Sequence, residues 1–253
     1  MVANRRRRAR AAVAPIAFGP VEGMGGTDGI DAIRDLRVRS PLDDIRATLT
    51  AFGALVGDDR RSEQMRVATG GRPDLARSAH RDAMLTWLRQ WGCRHLRTAD
   101  HARSSRALLA WWKRHGSQLP DPAATLDRID PAAFADAGRM QAALAGSVAA
   151  RRRHGDAEVD VVFGDTAAAK AMFALRPQVF PPWDEPIRVA FGWTRRDPAH
   201  YEAYLGMARD AVAGLSRRAR VPVDGLPAAL GRPASSPARI VDEYLWMRLT
   251  RGK

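Results

Sequence analysis

Five times along the chain a serine or aspartate stands directly before a proline: Ser40-Pro41, Asp121-Pro122, Asp130-Pro131, Asp197-Pro198 and Ser236-Pro237. The side-chain oxygen of such a pair accepts an amide hydrogen of the coming turn. Proline fits the next position because its missing N–H would have no partner there. Four of the pairs are followed by apolar residues at helical spacing. Leu42, Ile45, Leu49 and Phe52 follow the first, and Phe134, Ala137, Met140, Leu144 and Val148 follow Asp130. Tyr201, Tyr204, Leu205, Ala208, Val212 and Leu215 follow Asp197, and Ile240, Val241, Tyr244 and Leu245 follow Ser236. Further helices are expected from His80 to Trp91, ended by Gly92, from Ser104 to His115, and from Asp165 through Ala167, Ala168, Ala171, Met172 and Leu175, ended by Pro177. The stretch 57–77 has a loop composition, and 217–236 is expected to be a basic loop. Glu158 to Phe163 is the only good strand candidate. The expected fold is mainly α, a multi-helix bundle.

The charge narrows the partners. The 253 residues carry a formal net charge of +13, and +8 remains without the five arginines of the first ten residues. Such a surplus suits polyanions. Only Lys113, Lys170 and Lys253 are lysines among 41 basic residues, and arginine grips phosphate in a bidentate fork. Residues 1–27 are expected to form a flexible basic arm, and 28–253 a helical globular region, either one unit or two lobes, 28–155 and 156–253. The run Arg151, Arg152, Arg153, His154 is expected to close the helix opened at Asp130. There it favours the negative end of the helix dipole or serves as a phosphate contact.

One cysteine, Cys93, excludes a disulfide framework, and the group Cys93, His95 and His101 lacks a fourth ligand and matches no common zinc spacing. No metal or cofactor is expected, and a reducing, cytoplasmic location is. No segment approaches the roughly 20 apolar residues of a membrane span. No phosphate-binding Walker sequence, nucleophile elbow or dinucleotide glycine fingerprint occurs.

The most informative stretch runs from Phe163 to Trp193: a Gly164-Asp165-Thr166 turn, an alanine-rich helix, a Pro-containing connection, then Trp183-Asp184 opening a further helix toward Arg188. This arrangement, about 30 residues long, resembles the helix-hairpin-helix superfamily of base-excision DNA glycosylases. The resemblance implies a two-lobed helical fold, a DNA phosphate held at the turn of Gly164 and Thr166, and Asp184 as the carboxylate that stabilises charge on the sugar. The chain departs from the family pattern in two places: Val162-Phe163-Gly164-Asp165 supplies one hairpin glycine instead of two, and Asp165 stands where bifunctional members carry a lysine. A monofunctional glycosylase is therefore the expectation.

A fixed carboxylate can stabilise the oxocarbenium character of a breaking N-glycosidic bond. Asp184, before Glu185-Pro186, equally suits an ordinary helix cap. Lys170 could form an imine, though its place a turn into the helix favours a solvated lysine or a phosphate contact. Trp183, Trp193 and Tyr201 are candidates for stacking on an extruded base, or for the core. Arg188, Arg195 and Arg196 join the arginine run as expected nucleic-acid contacts. DNA is the expected partner, with RNA as the alternative, and neither a membrane nor an obligate protein partner is expected. The competing functions are a non-catalytic nucleic-acid-binding module and a base-modification enzyme on the same scaffold.

Overall fold

Two of the five caps act as their residue types dictate. In the computed structural model, which describes residues 26–56 and 60–251, Asp197 Oδ1 accepts from the Ala199 amide at 2.9 Å and Ser236 Oγ accepts from the Arg239 amide at 3.2 Å. These open α9 (Pro198–Ala219) and α11 (Pro237–Thr250). Asp121 and Asp130 instead close short turns, accepting from the amides two residues on at 2.7 and 2.9 Å. Ser40 spends its hydroxyl on Tyr244 Oη, 3.0 Å away, so the start of α2 (Leu42–Val56) is tied to α11.

The other helices are α1 (Asp28–Arg34), α3 (Arg60–Ala68), α4 (Ser78–Gln90), α5 (His101–His115), α6 (Ala133–Gly146), α7 (Gly164–Leu175), α8 (Glu185–Ala190) and α10 (Leu226–Ala229). The mainly helical expectation holds among the described residues, and no described helix is long and apolar enough to cross a membrane. The basic arm lies outside them, apart from Gly26 and Thr27. One continuous apolar cluster draws on side chains before and after residue 155, from Ile33 and Leu49 to Leu215 and Leu245. Gly138 lets α6 approach α9 closely: a Cβ there would stand 2.4 Å from the Pro198 carbonyl.

Three expectations need correction. The stretch 57–77 is not all loop, because α3 occupies its middle, buries Met65, and accepts a hydrogen bond at Ser62 Oγ from Trp87 Nε1 of α4 at 3.1 Å. Tertiary packing there overrides a weak apolar pattern. The segment 217–236 is likewise shorter as a loop, since α9 runs to Ala219 and α10 intervenes. The largest change concerns Arg151–Arg153. The α6 helix stops at Gly146, Ser147 turns extended, and β1 (Val148–His154) pairs antiparallel with β2 (Ala157–Val162). The arginines thus belong to a strand, not to a helix end. Two features of the sequence explain it: Gly155-Asp156 is a two-residue hairpin turn, with Gly155 at φ +61°, and the register sets Arg151 opposite Asp160 and Arg153 opposite Glu158.

Candidate functional site

The fold brings Lys170 and Asp184 together. Lys170 lies on the inner face of α7, a helix of small residues whose alanines 167, 168, 169 and 171 are all buried, so the neighbouring elements approach closely. Its Nζ stands 2.7 Å from Asp184 Oδ1 and donates to the Trp91 carbonyl at 2.9 Å. Trp91 also presents its ring, 5.1 Å from Nζ, and Gly92 lies against the ammonium. The lysine is 93 parts in a hundred buried, which rules out the solvated or phosphate-contacting lysine that its sequence position suggests. Burial opposes its charge, but the neighbouring Asp184, Cys93 and Asp242 outweigh this and hold its pKa above the ordinary lysine value. It is an ammonium ion, without the free electron pair an imine requires.

Asp184 occupies the N-cap position of α8, yet its side chain makes no cap hydrogen bond. Its carboxylate is turned toward α7. What fixes it is the corner before it. The Pro181 and Pro182 carbonyls accept hydrogen bonds from Tyr201 Oη and Tyr204 Oη of α9, each at 3.1 Å. Both tyrosines are fully buried, and burial pushes both phenols upward, so each remains a donor at any physiological pH. Tyr201 therefore positions the corner and is not a base-stacking surface. Trp183 is 2% exposed, with Trp193, Tyr201 and Tyr204 rings packed about it at 5.1–5.7 Å. It is a core ring.

A second acid, missed by the sequence reading, completes the cluster. Asp242 on α11 is buried and has its pKa pushed up to about 8. Burial is the main cause and Asp184 adds to it, while Arg239 and Lys170 pull the other way. Cys93 faces the same group, and burial raises its thiol to about 11, so it stays protonated. No local signal marks Asp242: it lies off the Ile240-Val241-Tyr244-Leu245 stripe and is buried because α11 is enclosed on all sides. Among the described residues no group of three or more acids, histidines and cysteines could hold a metal ion.

The remaining candidates lie apart from this pair. Gly164 has φ +76°, which only glycine adopts freely, and starts α7 directly after β2. The elements flanking the turn are thus a strand and a helix. Thr166 is half-buried in the first turn. The anion at this helix start is the chain's own Asp165, paired with Arg196 at 3.2 Å and with Arg188 at 3.9 Å. Arg188 also donates to the Trp193 carbonyl at 3.1 Å. Arg195 is exposed and makes no ion pair among the described residues. In the hairpin, Arg151 pairs with Asp160 at 2.8 Å, Arg153 with Asp156 at 3.8 Å, and Arg152 with Asp100 at 2.9 Å and with the His95 carbonyl. No protein-family model matches the chain, and no curated protein or solved structure matches it either.

Proposed function

We propose that this chain is a monofunctional DNA glycosylase with Asp184 as its reactive carboxylate. The observation that carries the reading is that Asp184, placed to cap α8, leaves its own helix uncapped and pairs with buried Lys170 instead. A carboxylate whose only task was helix capping would accept from the amides of its own first turn. Here it is fixed and oriented by an ammonium and by a corner that two tyrosines hold. In the reaction the bond from the sugar C1′ to the base nitrogen breaks, the base leaves with the electron pair, and water adds its oxygen to C1′ and gives up the proton that the released base takes. Asp184 stabilises the positive charge between those two events, an electrostatic task for a preorganised group. Lys170, as an ammonium, balances the buried carboxylate and does not attack.

Release of free base from oligonucleotides carrying a panel of damaged or modified bases tests this. Wild-type protein should release at least one base. Asp184→Asn should lose about 10²–10³-fold in rate, the scale of removing one preorganised electrostatic group. Borohydride should trap no covalent protein–DNA adduct; trapping that vanishes in Lys170→Arg would overturn the monofunctional assignment. The alternative, a non-catalytic DNA-binding module, is favoured by the burial of Asp184 Oδ1 beneath the Trp91–Cys93 turn. DNA binding without base release from any substrate would select it.

A further inference from the structure

The turn at Gly164, where the glycosylase resemblance places a phosphate, already holds Asp165 and its two arginines. A DNA-binding protein of this shape needs its backbone contact elsewhere. Across the 91–97 segment from the Lys170–Asp184 pair lies an open groove of about 680 Å3, walled by the hairpin on one side and residues 97–100 on the other. Arg97, Arg151, Arg152, Arg153 and His154 face it, against one carboxylate, Asp100. The strand register puts Arg152 and His154 on the same side as Val159 and Val161, so the cations stand over an apolar floor in which Val159 is 46% exposed. That combination suits a sugar–phosphate chain, which presents apolar sugar faces between its charges.

Beside the groove stands a group of arginines without acidic partners. Several exposed arginines elsewhere are neutralised three residues away, as in Arg34–Asp31, Arg46–Asp43, Arg66–Glu63 and Arg139–Asp136. Arg94, Arg97, Arg103 and Arg106, on the 91–97 segment and on α5, which packs on β1, are exposed and have no carboxylate partner among the described residues. The 91–97 segment also joins the two sites: its Trp91 carbonyl accepts from Lys170, and its His95 carbonyl accepts from Arg152.

We infer that the groove between the β1–β2 hairpin and residues 97–100 is a binding site for the phosphodiester backbone of DNA, separate from the Lys170–Asp184 centre. Arg97, Arg151 and Arg153 make the phosphate contacts, the two hairpin arginines exchanging Asp160 and Asp156 for phosphate. Arg152, tied to Asp100 and His95, holds the walls together. The inference rests on DNA being the partner, as proposed above.

The test is the salt dependence of duplex DNA binding, measured for wild type, for Arg97→Gln/Arg151→Gln/Arg153→Gln, and for a matched triple, Arg34→Gln/Arg66→Gln/Arg139→Gln. Both triples remove the same charge from exposed positions. Each lost phosphate contact should reduce the slope of log K against log salt by about 0.9. The groove triple should therefore lose between about 2 and 3 from the slope and at least about tenfold in affinity near 0.1 M salt. The matched triple should keep the wild-type slope. Equal behaviour of the two triples overturns the groove, and tighter binding of an RNA duplex with the same loss in the groove triple overturns the choice of DNA. A groove effect without base release refutes the glycosylase and leaves the groove standing; base release with no groove effect does the reverse. No DNA binding by wild type at any salt refutes both.

Discussion

Two neighbouring buried acids of the last helix are held differently. Glu243 has no exposed surface, yet its carboxylate accepts from Arg232 Nε and Nη2 at 2.9 and 3.1 Å, from Arg239 Nε at 3.0 Å and from Ser235 Oγ at 3.1 Å. Both oxygens have donors, and the two guanidiniums are themselves packed on rings, Arg232 over Phe52 and Arg239 over Trp91. One residue earlier, Asp242 faces a centre in which one lysine serves Asp184, and burial pushes its own carboxyl up to about 8. Several donors on one carboxylate fix its geometry, whereas two acids around one ammonium leave buried charge incompletely balanced.

The contrast can be broken at its strong end first. Glu243→Ala should cost about 3–5 kcal/mol in urea unfolding, because two guanidiniums lose their common carboxylate in the interior. If it costs less than the substitution at Lys170, the carboxylate with several donors is not the more firmly held one. Lys170→Met should cost less, about 2 kcal/mol, since Asp184 keeps 22% of its side chain exposed and can recover some hydration. The same variant should bind DNA as wild type does, provided its melting curve stays cooperative.

The smallest effect is the most diagnostic. With its folded pKa near 8 and an ordinary value when unfolded, Asp242 binds more protons in the native state between those two values. Stability therefore falls as pH rises through that window and levels off above it. Asp242→Asn should remove this part of the slope, so its stability relative to wild type improves from pH 5 to pH 9. A constant difference between the two across that range would place Asp242 outside the cluster.

Much of the helical frame could be read from caps and stripes, because those signals are local. The Asp197 and Ser236 caps and the α9 and α11 stripes lie where the sequence places them. Strand β1 was hidden because arginine carries no β pattern; its pairing depends on charges across a hairpin. Asp184 and Lys170 were each visible as residue types, but fourteen residues and a proline corner separate them. Only the tyrosines of α9, which hold that corner, bring the carboxylate to the lysine. Asp242 is a further step removed, since its burial depends on α11 being enclosed on all sides.

That enclosure bears on how the chain is made. The first helices, α1 and α2, pack on α11, and Ser40 meets Tyr244 across 204 positions. Arg218 likewise donates to the Leu36 carbonyl at 3.1 Å. The contacts with α11 cannot form until its residues have left the ribosome. The early helices must wait through the synthesis of everything between them with their apolar stripes uncovered. Non-local closure of this kind slows folding and exposes the nascent chain to aggregation and to chaperone capture.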